Sequence, residues 1–98
     1  MFDQMKNLME MKKQADRLKK QLDAIVLDVQ EVNGISIQIT GSQQFRAIEI
    51  APDLLQADQK ERLQRDLLRS VNAAIKKSQA SAAQQMASAM PNIPGLKF

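Results

Sequence analysis

Residues 27–51 read LDVQEVNGISIQITGSQQFRAIEIA, and the fold turns on this stretch. Ile35, Ile37 and Ile39 alternate with Ser36, Gln38 and Thr40. A period-two alternation of β-branched and polar residues is the pattern of a strand with one dry face. Leu27 and Val29 carry a similar pattern before it, and Ile48 and Ile50 after it. Asn33-Gly34 marks the first turn, because Asn and Gly tolerate positive φ. The stretch therefore predicts a three-stranded antiparallel meander.

Its register follows from keeping the apolar residues on one face, since a slip of one residue would turn the whole set to water. A three-residue loop, Val32-Asn33-Gly34, pairs Glu31 with Ile35, Val29 with Ile37 and Leu27 with Ile39. A four-residue loop, Gly41 to Gln44, pairs Thr40 with Phe45, Ile37 with Ile48 and Ile35 with Ile50. The apolar face is then Leu27, Val29, Ile35, Ile37, Ile39, Ile48 and Ile50. Asp28, Gln30, Ser36, Gln38, Thr40, Ala47 and Glu49 take the other face, with Phe45 alone among them.

Working outward, a helix is predicted from about Asp3 to Ile25. Leu8, Met11, Ala15, Leu18, Leu22 and Ile25 recur at alternating steps of three and four, which places them on one narrow face. Lys6, Lys13, Arg17 and Lys20 fall together on roughly the opposite face, and acidic Asp3, Glu10, Asp16 and Asp23 lie at the margins. On the other side, Pro52-Asp53 ends the third strand. Asp58 and Glu61 have the spacing of a capping box, and a second helix is predicted from there to near Met86. Its inner face is Leu63, Leu67, Val71, Ala74, Ile75 and Ser78, and Arg62, Arg65, Arg69 and Lys76 line the opposite stripe. Residues 1–90 are read as one domain, and Pro91 and Pro94-Gly95 close the helix into an extended tail, residues 91–98. The fold class is α+β, an α-β-β-β-α protomer. Two helices of about 35 and 45 Å outrun a sheet about 20 Å long, so part of each apolar stripe has nothing to cover it within one chain. A twofold homodimer is the expected remedy.

Composition narrows the function. The chain has 98 residues, no cysteine and no histidine, which removes disulfides, thiolate chemistry and the commonest general base. No carboxylate cluster or glycine-rich loop suggests a catalytic, cofactor or metal site, and no small-molecule substrate is nominated. No apolar run approaches the ~18 residues of a membrane span, and a cytoplasmic location is expected. The net charge is +3. Two basic stripes, each opposite an apolar face, suit contacts to a phosphate backbone, and the guanidinium forks of the second helix favour them. A single such stripe is more often only a solvated helix face. Phe45 is the only aromatic residue away from the ends, which argues against binding single strands by base stacking. Gln14, Gln21, Gln64 and Asn72 could reach base edges, but no helix-turn-helix accompanies them, so little sequence specificity is expected. Met1, Met5, Met9, Met11, Met86 and Met90 gather at the two chain ends. They suit a dimer seam more than an adaptable surface for other proteins.

The chain resembles the YbaB/EbfC family of small bacterial nucleoid-associated proteins. The likeness rests on the first helix NLMEMKKQADRLKKQL, the strand ISIQITG, the segment IEIAPDLLQADQKERLQRDLLRSVNAAIKK and the ending IPGLKF. It implies a homodimeric α-β-β-β-α protein that binds double-stranded DNA, with the nucleoid as location and a role in chromosome organisation or gene regulation. Carried onto this chain, DNA contact falls on Lys6, Lys13, Arg17, Lys20, Arg62, Arg65, Arg69 and Lys76. Arg65 stands where relatives often carry an acidic residue, which makes this helix more basic. The competing reading is a prefoldin-like interaction or chaperone module without DNA binding, although prefoldin coiled coils are much longer than this first helix. An enzyme is the third, with no constellation to support it.

Overall fold

The structure, a computed structural model, describes residues 2–89. Helix α1 spans Phe2–Ala24, strands β1, β2 and β3 span Val26–Val32, Ile35–Thr40 and Phe45–Ile50, and helix α2 spans Lys60–Ala89. The strands form one antiparallel sheet in the order β1-β2-β3. The α-β-β-β-α order is the one expected. The tail, residues 91–98, lies outside the described residues.

Helix α2 lies across β1 and β2 on one face of the sheet. The central strand β2 is hydrogen-bonded on both edges and covered from above, so Ile35, Ile37 and Ile39 are almost fully buried. Ala74 meets them from the middle of α2, and its small side chain lets the helix sit close. Leu63, Leu67, Val71 and Ile75 fill in around it. Burying each isoleucine contributes about 1.5–3 kcal/mol. The opposite face, with Asp28, Gln30, Ser36, Gln38 and Glu49, is open to solvent.

The two hairpins keep the expected inner face but reach it differently. Val29 pairs with Ile37 and Leu27 with Ile39, as the alternation requires. At the turn, however, Val32 rather than Glu31 pairs with Ile35. Gly34, at φ +91°, supports a two-residue turn, and the extra residue is absorbed by a bulge between Val29 and Val32. In the second hairpin Ile35 pairs with Ile50 and Ile37 with Ile48 as expected, but Phe45 pairs with Ile39 instead of Thr40. Thr40 is held by the loop itself. Its N–H donates to the Gln44 carbonyl at 2.8 Å, and its Oγ1 accepts from the Gln44 N–H at 3.1 Å.

One residue of the inner face is left uncovered, and one further expectation is corrected. Ile48 belongs to the apolar set yet is 47% exposed, because α2 stops short of β3. The Asp58–Glu61 capping box does not form among the described residues. The chain instead winds through two 3-10 turns, Pro52–Leu55 and Ala57–Gln59, before α2 begins at Lys60. The Gln59 N–H donates to the Gln56 carbonyl at 2.9 Å and the Leu54 N–H to the Ala51 carbonyl at 3.0 Å. The first of these turns seats Leu54 over Gly34, where an added Cβ would lie 2.8 Å from Leu54 Cδ1.

Candidate nucleic-acid interface

The direction of α1 is set at one joint. Helix α1 ends where the β2–β3 loop begins, and the Gly41 N–H donates to the carbonyls of Leu22 and Ile25, both at 3.0 Å. A Cβ at Gly41 would stand 3.0 Å from the Leu22 oxygen and 3.4 Å from its Cα. Any larger residue would have to push the helix end back by a few tenths of an ångström or more. Around it runs a chain of polar contacts. The Ser42 hydroxyl donates to the Asp23 carboxylate, and Thr40 Oγ1 lies 2.9 Å from Ser42 Oγ. Buried Ser78 on α2 donates to the Thr40 carbonyl at 2.8 Å. This is why a serine can stand on the inner face of α2: its buried hydroxyl finds a partner in the Thr40 carbonyl, which also accepts from the Gln43 N–H at 3.1 Å. The network ties α1, the β2–β3 loop and α2 together at one end of the sheet.

Beyond that joint α2 continues past the sheet, antiparallel to α1. Met86 of α2 shares a groove with Met11, Ala15 and Leu18 of α1. Past this crossing α1 stands nearly free: Gln4 to Arg17 are all exposed, with Leu8 and Met11 at 65%. The apolar stripe predicted from spacing is therefore real as a helix face, although its last member, Ile25, falls just past the end of α1, and only its C-terminal part, Leu18, Leu22 and Ile25, is half-buried.

All eight candidate cations are exposed. Lys6, Lys13, Arg17 and Lys20 line α1, and no ion pair to any of them forms among the described residues. Arg62, Arg65, Arg69 and Lys76 line α2 on the side away from the sheet. Two of these are engaged. Arg62 lies 3.6 Å from Asp66 one turn on, and Arg69 Nη2 lies 3.4 Å from Glu31 Oε1. Glu31 sits within the β1 bulge, so its partnership with Arg69 depends on a register shift that alternation alone does not reveal. Spacing also passes over Lys77, whose Nζ donates to the Asp28 carbonyl at 2.9 Å and so pins α2 to β1. Gln14, Gln21, Gln64 and Asn72 are exposed. The open sheet face carries Asp28 and Glu49 and repels a polyanion.

The arrangement offers cations on helical faces and little else. No group of three or more His, Cys, Asp or Glu residues with metal-binding geometry occurs among the described residues. No helix among them is long and apolar enough to cross a membrane. A family model described as the YbaB/EbfC DNA-binding family matches residues 1–93. The chain belongs to this family. Membership in YbaB/EbfC places it among nucleoid-associated, DNA-binding proteins. An uncharacterized protein from Helicobacter pylori, HP0035, has a similar solved structure, with a TM-score of 0.76 at 21% identity over 94% of this chain and 98% of that one. At that identity the likeness speaks for the fold alone, and it extends the YbaB/EbfC architecture seen here to nearly the whole of both chains. No curated protein matches the chain.

Proposed function

We propose that this YbaB/EbfC member is a non-catalytic nucleoid protein that binds double-stranded DNA as a homodimer, through phosphate contacts from the outer faces of α1 and α2 and with little sequence preference. The reading is carried by the row Lys6, Lys13, Arg17 and Lys20, all four exposed on α1. Cations so placed reach a duplex backbone without giving up internal partners and gain by releasing counterions. Apart from Phe2, the first residue of α1, neither helix carries an aromatic residue on which a base could stack. The dimer is supported by apolar surface left uncovered on the protomer: Leu8 and Met11 on α1, and Phe45 and Ile48 on β3.

Fluorescence anisotropy with a random-sequence duplex at several salt concentrations, with mass measured on the same sample, tests the reading. The expected result is a steep negative slope of log K against log salt on a dimer, with competing sequences nearly equivalent. Absence of binding at low salt would sink it.

The ion pairs rank the cations. Reversing free Arg65 to Glu removes a contact outright and is expected to lower affinity at low salt about tenfold or more. Glu31→Gln works in the opposite direction. Freed from Glu31, Arg69 becomes available to phosphate, so affinity rises a few-fold and the salt slope steepens by about one unit. Stability changes by less than about 1 kcal/mol, because the pair is solvent-exposed. The same anisotropy titration reads both variants, and a Glu31→Gln protein that bound more weakly than the parent would remove Arg69 from the interface.

A further inference from the structure

We infer that the two basic stripes are two separate duplex-binding surfaces, so that one chain can hold two DNA segments at once. The inference rests on the DNA-binding reading above and goes beyond it. It follows from how the helices face one another. Helix α2 seats Leu63, Leu67, Ser70, Ala74 and Ser78 on the sheet side, so Arg62, Arg65, Arg69 and Lys76 point away from the sheet. Beyond the joint the half-buried Ser81, Ala82 and Gln85 continue that inner face of α2, and α1 turns Met11, Ala15 and Leu18 to the groove that it shares with Met86 at the edge of this face, with Arg17 on the groove's rim. By helical phase, Lys6, Lys13 and Lys20 then point away from α2. Two helices that meet through their inner faces present their outer faces in opposing directions.

The stripes are also displaced along the molecule. Arg62 to Lys76 lie over the sheet and end before Ser78, which marks the joint. Lys6 to Lys20 lie on the part of α1 that precedes Leu22, beyond the same joint. A duplex is stiff, with a persistence length of about 50 nm. The described fold is 24 Å and 17 Å across its shorter dimensions, and a duplex cannot wrap around so thin a body to touch both sides. One segment lying along α2 therefore leaves the α1 stripe free for another. The chemistry recognised at each surface is the same, a double-stranded phosphate backbone.

The number of duplexes bound per chain tests this. A short random-sequence duplex is titrated at low salt to saturation by sedimentation velocity, with the full chain as parent. The variants are Lys13→Glu/Lys20→Glu on α1 and Arg65→Glu/Lys76→Glu on α2, with Lys→Gln and Arg→Gln versions as milder controls. All four positions are exposed, and circular dichroism checks the fold. Each double variant is expected to saturate at half the parent's duplexes per chain. The halving holds whatever number of chains assemble, because every chain loses the same surface. Both variants are also expected to lose capture of a second, labelled duplex by a bead-bound one. If either variant kept the parent's stoichiometry at lower affinity, or lost binding entirely, the stripes would form one continuous site and the inference would fall. If the parent bound no duplex, the DNA-binding reading itself would fall first.

Discussion

Truncating Ile37 to alanine lowers the stability of the fold by about 3 kcal/mol. Ile37 is 1% exposed, at the centre of the middle strand. It is paired with Val29 on one side and Ile48 on the other and lies in the core that α2 covers. Removing its outer carbons loses their transfer energy and leaves a cavity that β2 cannot close, because both its edges are held. A small domain has only about 5–15 kcal/mol in total, and each kilocalorie is worth roughly 4–8 °C in Tm at this size. Urea melts followed by circular dichroism measure the loss. A change below about 1 kcal/mol would mean that α2 settles into the space and that the sheet is not as tightly clamped as the packing indicates.

The second large effect is expected at Gly41. Valine there forces a side chain against the Leu22 carbonyl, and the close approach that lets the Gly41 N–H reach Leu22 and Ile25 is lost. Overpacking of this kind costs about 1–3 kcal/mol, with the broken hydrogen bonds adding to it. The damage is confined to the joint. Amide exchange in the last turns of α1 accelerates strongly, while Ile35, Ile37 and Ala74 keep their protection. Because α1 carries half the basic stripes, duplex affinity at low salt falls with it. Uniform loss of protection across β2 and α2 would show instead that α1 and the sheet unfold as one unit.

Much of this was legible in the chain. The alternation of Ile35, Ile37 and Ile39 states which face is dry, and with Leu27 and Val29 it yields the pairing of β1 with β2 away from the turn. The spacing of Leu63, Leu67, Val71 and Ala74 states which side of α2 meets the sheet. The bulges were not legible. The tight Gly34 turn and the common apolar face conflict by one residue, and periodicity does not say where the surplus goes. Nor does it say how much of the sheet a helix covers, which is why Ile48 keeps its expected place opposite Ile37 yet stays 47% exposed. The same limit applies at the candidate interface. Spacing finds the cations of both stripes and offers Asp66, one turn on, as a partner for Arg62, but the pairing of Arg69 with Glu31 depends on the tertiary fold. Gly41 carries no periodic signal at all, since its role is the absence of an atom.

The attachment of α1 at a single end has a mechanical consequence. A 23-residue helix is about 35 Å long, so with its C-terminus fixed it acts as a lever. A tilt of about 10° at the Gly41 joint carries Lys6, about 24 Å along the helix from Leu22, through about 4 Å. Modest bending of the polar contacts around Thr40 and Ser42 thus becomes a displacement of several ångströms at the far cations of α1. The arm can follow the local curvature of whatever it lies on while the isoleucine core stays still.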